Sequence, residues 1–183
     1  FLPAGVYNLL SSAPGDRSTH LRLKSGVNLR GESEAETILL SNFGPSVNNS
    51  KVLLAEAKHD IVISNLTISS TFNGNFSSNR RRNNPDRGRP KHGIYIVDQR
   101  NIPSYNITID RVTVEKFETI GIRISNSRDI TVKNSTFRLA TDVGGGGAGY
   151  GVAIQGVAKR DMTGRLNATL FNVVENSVFE GPY

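Results

Sequence analysis

The feature that most constrains this chain is a repeat. Four segments, "KHDIVISNLTI" (58–68), "YNITIDRVTV" (105–114), "SRDITVKNSTF" (127–137) and "FNVVENSVF" (171–179), share one layout: an alternating run, a break, and a second alternating run. Aligned on their breaks, Asn65, Arg111, Asn134 and Asn176 fall under one another at spacings of 46, 23 and 42 residues. Each long spacing contains one loop, and without it a unit is about 20 residues, the period of a solenoid whose turns stack on one another. The breaks are read as tight corners. Asn tolerates the left-handed backbone conformation, and its amide can bond to the equivalent residue of the next turn. Arg111 interrupts that ladder.

A third strand precedes each pair: "VLLAEA" (52–57), "GIYIV" (93–97), "GIRIS" (121–125) and "GVAIQ" (151–155). Three short strands per turn, with β-branched residues alternating inward and no helical pattern between them, predict an all-β, right-handed parallel β-helix. It is expected as a single domain over residues 1–183, with loop insertions at 69–91, 138–149 and 157–170. Phe1 suggests a mature product or a piece of a longer chain. The final "FEGPY" contains nothing that reads as a cap, so the domain is expected to lack its C-terminal turns or cap, or to have that end covered by further chain, by another subunit or by end-to-end self-association.

The 183 residues, 37% of them hydrophobic, suffice for a substantial core. No apolar run approaches the roughly 20 residues that cross a bilayer. Cysteine is absent, which removes disulfides, thiolate ligands and a cysteine nucleophile together. The net charge of +6 is concentrated in "RRRNNPDRGRPK" (80–91) and points to a polyanionic partner. Nucleic acid is disfavoured, because the basic run lacks interleaved aromatic residues for base stacking.

The opening segments "LPAGVYNLL" and "LRLKSGVNLRGES", followed by the repeats, resemble the pectin-lyase-like superfamily along essentially the whole chain. That resemblance implies a secreted or cell-surface carbohydrate-active protein. It also implies an active groove along the outer face of the first strand of each turn, walled by loops leaving the third strand. It does not choose among lyases, hydrolases, epimerases and adhesins. The paired-Asp and Gly-His-Gly segments of polygalacturonases are missing, as are the motifs of the best-known pectate lyases.

Strand parity assigns the faces. Ile94, Ile96, Ile122, Ile124, Val152 and Ile154 should face the core. Tyr95, Arg123 and Ala153 should form one outward row, and Val97, Ser125 and Gln155 the next, with Leu54 and Glu56 continuing the two rows. Arg123, Tyr95, Lys91 and His92 are the candidate catalytic set. A uronate lyase must neutralise the substrate carboxylate, remove the acidified C5 proton and protonate the leaving oxygen, and these residue types serve those tasks. His92 has inward parity and also reads as a satisfied core or edge histidine. Arg80, Arg81, Arg82, Arg87 and Arg89, with Gln155 and Ser125, are the candidate substrate-binding residues.

Hydrolysis would need two carboxylates across the scissile bond, yet Glu56, Asp98, Glu118 and Asp142 are scattered. The same acids are too dispersed for a calcium site, so the expectation is no cofactor, with calcium the ion to weigh. Of six sequons, those at Asn48, Asn75 and Asn167 sit in loops and are the candidates for glycosylation; those at Asn65, Asn106 and Asn134 arise from the repeat itself. The expected function is binding and β-elimination of an acidic polysaccharide. The alternative is a non-catalytic β-helix segment of an adhesin or fibre.

Overall fold

The computed structural model describes residues 1–9, 18–43, 47, 49–74, 89–141, 149–156, 159–160, 166–167 and 171–181. In chain order its strands are β1 (Gly5–Leu9), β2 (Thr19–Arg22), β3 (Leu29–Arg30), β4 (Thr37–Ser41), β5 (Lys51–Glu56), β6 (His59–Ser70), β7 (His92–Val97) and β8 (Tyr105–Glu115). There follow β9 (Ile120–Ser125), β10 (Arg128–Lys133), β11 (Thr136–Arg138), β12 (Tyr150–Gln155), β13 (Lys159–Arg160), β14 (Leu166–Asn167), β15 (Val173–Glu175) and β16 (Val178–Glu180). Among the described residues there is no helix.

The strands alternate between two parallel sheets, which makes the fold a parallel β-helix. One sheet, called here the groove sheet, has the order β2-β5-β7-β9-β12; the other runs β1-β4-β6-β8-β10-β15, with β3, β11 and β16 attached. The short pair β13 and β14 is antiparallel and stands apart. Equivalent residues of successive coils lie directly over one another. Leu21, Leu53, Ile94, Ile122 and Val152 form one column in the groove sheet. Leu39, Ile68, Val114, Phe137 and Phe179 form another in the second sheet. Both columns contribute to the apolar core between the sheets, in which most of these side chains are buried. Alternation of β-branched and polar residues thus becomes a stack of identical layers, each burying what the one beneath leaves open.

The four aligned breaks are the corners of the second sheet. Asn65, Arg111, Asn134 and Asn176 all adopt left-handed backbone, with φ of 53°, 53°, 51° and 46°. The ladder of side chains is mixed. Arg111 Nε donates to Asn65 Oδ1 at 2.8 Å, Arg111 also pairs with the Asp110 carboxylate at 3.1 Å, and Asn134 Nδ2 donates to Asp110 Oδ1 at 2.8 Å. In β6 and β8 the chain passes through the corner as one continuous strand, so the second and third strands of those turns are merged; in the next coil they separate into β10 and β11. An L-residue other than Asn or Gly is strained at such a corner by about 1 kcal/mol. Arg111→Asn is therefore expected to raise stability by a few tenths of a kcal/mol to about 1, net of the lost Asp110 pair, read as an increase in the urea midpoint.

Two further left-handed columns accompany the first. Asp60, Asn106 and Asp129 have φ of 56°, 52° and 55°, and Lys116 and Leu139 have 55° and 57°. The first was visible in the sequence as the Asp or Asn opening "DIVI", "NITI" and "DITV". Asn106 Nδ2 donates to Asp60 Oδ1 at 2.5 Å, and this bond, with that from His59, holds the Asp60 carboxyl below the usual carboxylate range. Beside it the His59 ring stacks on Tyr105 at 4.8 Å, and the Arg128 guanidinium lies over Tyr105 at 4.9 Å.

The last described coil is more open than parity alone predicts. Ile154, expected in the core, is 43% exposed because β12 is the terminal strand of the groove sheet. On β16, Val178 and Phe179 are each about half exposed, at 51% and 49%.

Candidate functional site

The outer face of the groove sheet carries the two rows expected from parity. The register places Arg22, Leu54, Tyr95, Arg123 and Ala153 in one row, and Glu56, Val97, Ser125 and Gln155 in the next. Over the last three coils these rows line an open groove of about 600 Å³, bordered by Tyr95, Val97, Arg123, Ser125, Asn126, Ile154, Gln155 and Gly156. Four of the sequence-predicted residues, Tyr95, Arg123, Ser125 and Gln155, therefore meet in one place.

Arg123 is the centre of the group. Its guanidinium lies over the Tyr95 ring, 5.1 Å from the centroid, and its Nη2 donates to Gln155 Oε1 at 3.0 Å. Stacking on one coil and hydrogen bonding to another fixes a side chain that would otherwise be among the most mobile on a surface. Asn126 was not foreseen. It follows β9 with left-handed backbone, donates through Nδ2 to Asp98 Oδ1 at 2.9 Å, and its backbone N–H donates to Gln155 O at 2.9 Å. An Asn immediately after the strand "GIRIS" was the available signal.

The carboxylates nearby each have a partner, and one of them, Asp98, bonds a residue of the groove lining. Glu56 pairs with Arg22 at 3.2 Å, Glu118 lies 3.7 Å from Arg89, and Asp98 holds Asn126. Among the described residues no Asp or Glu lines the groove. Among the described residues no group of three His, Asp or Glu is arranged to hold a metal ion.

The other predicted residues sit apart from this centre. His92 is 0% exposed, so it does not open onto the groove as a proton-transfer group would. It is also not a satisfied core histidine: both ring nitrogens lack a hydrogen-bond partner. Its ring packs at a tilt against Tyr95, 5.5 Å between centroids. Burial, followed by the charges of Arg123, Lys91 and Lys51, lowers its pKa to about 3, so the ring is neutral at ordinary pH. Lys91 is half-buried at the entrance of β7, where its backbone N–H donates to Ser50 Oγ at 2.8 Å. Arg89 is taken up by the scaffold: Nη1 donates to Thr141 Oγ1 at 2.8 Å, and the guanidinium lies over Phe72. Arg80, Arg81, Arg82, Arg87, Asp142, Asn48, Asn75 and the side chain of Asn167 lie outside the described residues.

Buried polar atoms without partners cluster at this sheet. Those among the described residues are Thr19 Oγ1, both nitrogens of His92, Arg123 Nε and Ser125 Oγ, all on β2, β7 or β9. An unsatisfied buried group costs about 1–3 kcal/mol of desolvation, and among the described residues these groups fall on the groove sheet.

Fold and site together define a parallel β-helix with a cation-bearing groove on one sheet, lined among the described residues by no carboxylate. Comparison with protein-family models, curated proteins and solved structures finds no match.

Proposed function

We propose that this protein is a carbohydrate-active β-helix, of the kind found in the pectin-lyase-like superfamily, that binds an acidic polysaccharide in the groove and cleaves it by β-elimination. The observation that carries this reading is Arg123, held over Tyr95 in a groove whose described lining has no carboxylate. A fixed guanidinium at the floor of an open cleft suits a uronate carboxylate, which it neutralises and so acidifies the neighbouring C5–H. Elimination then removes that proton and breaks the C4–O bond, leaving a C4=C5 double bond on one product and a hydroxyl on the other. Tyr95 is the groove residue whose phenol can take part in proton transfer. Elimination is favoured over hydrolysis because, among the described residues, no Asp or Glu is in the groove lining, and the two acids beside it, Asp98 and Glu56, are engaged with Asn126 and Arg22. The basic run at 80–87, in the chain segment before β7, supplies further positive charge to attract a polyanion.

The test is ultraviolet absorbance of the unsaturated uronate product during incubation with pectate, alginate and glycosaminoglycans. Product formation with one of these, lowered at least about 100-fold by Arg123→Ala at an unchanged thermal midpoint, is the expected result. Affinity for the same glycan should fall about tenfold or more, since the lost contact is a charge-assisted one. Wild-type activity and affinity in Arg123→Ala would remove the reading.

A further inference from the structure

We infer that Gln155 determines the charge specificity of the groove, by presenting its amide NH2 as a donor beside Arg123. This rests on the reading of the groove as a polyanion site and adds a residue-level account of what it selects. Arg123 Nη2 lies 3.0 Å from Gln155 Oε1. A guanidinium has only donors, so the group of Gln155 that faces it must be the carbonyl oxygen. The orientation of the amide is therefore fixed by chemistry, and its nitrogen is turned away from Arg123.

Arg123 itself has a restricted set of free edges. Nε is buried and without a partner, which closes the side-on Nε/Nη2 edge, and one face of the guanidinium is covered by Tyr95. What remains is Nη1, for which no hydrogen bond is found among the described residues, together with the amide nitrogen of Gln155, whose oxygen is the atom bound to Nη2. Together these make a set of donors, and the one acceptor in the group, Gln155 Oε1, is already used. A ligand group that satisfies them must offer two or more acceptor oxygens on one centre and carry no competing donor. A carboxylate or a sulfate ester meets that requirement; a neutral hydroxyl, which brings its own donor, meets it poorly. Gln155 thus keeps Arg123 in place without neutralising it, as an isosteric Glu would.

The experiment compares wild type, Gln155→Glu, Gln155→Lys, Gln155→Ala and Arg123→Ala by calorimetric titration with a homogalacturonate oligosaccharide, a sulfated glycosaminoglycan oligosaccharide and a neutral galactan. Thermal midpoints are recorded alongside. Gln155→Glu should lower affinity for whichever anionic glycan binds by about tenfold or more, because it pairs with Arg123 and turns a donor into a charged acceptor. Gln155→Lys should keep that affinity within about threefold, since it supplies donors and positive charge. The two anionic probes distinguish carboxylate from sulfate as the preferred group. Equal affinities of the Glu and Lys variants, with Arg123→Ala defective, would overturn the role of Gln155 and leave the groove reading standing. Wild-type affinity in Arg123→Ala, or no binding of either anionic glycan by the wild type, would overturn both. A lowered midpoint in the Glu variant moves the decision to the Lys variant, which must then exceed Gln155→Ala in anion affinity.

Discussion

Alanine at Gly121 is expected to lower stability by about 3 kcal/mol or more, enough to leave much of the chain unfolded at moderate temperature. A Cβ built at Gly121 would stand 2.6 Å from the carbonyl oxygen of Gly151, in the next coil, and 2.8 Å from Phe137 Cδ1. The aromatic ring has somewhere to move only at the expense of the core, and the carbonyl is backbone of the neighbouring strand β12. Gly93 and Gly151 precede the equivalent column residues Ile94 and Val152 and are crowded in the same way. Added Cβ atoms there would meet Val114 Cγ1 at 2.4 Å and Phe179 Cδ1 at 2.3 Å. The glycine that opens each "GIYIV", "GIRIS" and "GVAIQ" run is thus needed because a Cβ there would run into a side chain of the second sheet and, at Gly93 and Gly121, into the glycine carbonyl of the next coil. Urea denaturation of Gly121→Ala against wild type measures the effect. Adding Phe137→Ala should not restore the midpoint, since the backbone clash with Gly151 remains. Gly26→Ala is the control: its Cβ would meet nothing within 4 Å, and the cost should be confined to its left-handed φ of 74°, about 1 kcal/mol. A Gly121→Ala midpoint no lower than that of Gly26→Ala would show that the sheets separate easily at this corner.

The glycines also illustrate what a single sequence reveals. Their position at the start of each strand was legible, as were the inward Ile columns, the outward Tyr95 and Arg123 row and the Asn corners. All of these follow from local parity or from backbone conformations open to few residue types. Features that depend on residues tens of positions away were not legible. Parity gives Gly121 no reason to be glycine; Phe137 and the Gly151 carbonyl do. Arg89 read as one more cation of a basic run, but Thr141 and Phe72, on other coils, recruit it into the scaffold. Ile154 read as core because its parity matches Ile96 and Ile124, yet its burial depends on a neighbouring strand on both sides. Arg123 and Gln155 were both foreseen on the outer face, but not the hydrogen bond between them, which spans adjacent coils with 30-odd residues intervening.

His92 makes the second large prediction, and its sign can be worked out. Its pKa in the folded protein is about 3, lowered chiefly by burial and then by Arg123, Lys91 and Lys51, whereas an unfolded chain titrates near 6.5. Between those values the unfolded chain binds a proton that the folded protein refuses, so stability falls as pH drops. This histidine's contribution is fully favourable above pH 6.5, declines through the interval towards 3, and changes no further below it. At pH 4.5 the loss is on the order of 2 kcal/mol. The next coil shows how the position behaves without an imidazole, because His92 pairs in register with Ile120, a buried aliphatic residue. His92→Leu should therefore be more stable than wild type at pH 7 by about 1–3 kcal/mol, as two unpartnered nitrogens leave the interior. The difference should widen as the buffer is taken from pH 7 to 4.5. Comparing the variant with wild type at each pH cancels the titration of His20, His59 and the carboxylates common to both. A difference that stays constant with pH would mean that His92 titrates in the folded protein as it does in the unfolded chain, and so carries a proton at pH 4.5. That outcome would place a fourth positive charge beside Lys51, Lys91 and Arg123 and require an anion at the groove sheet to balance it.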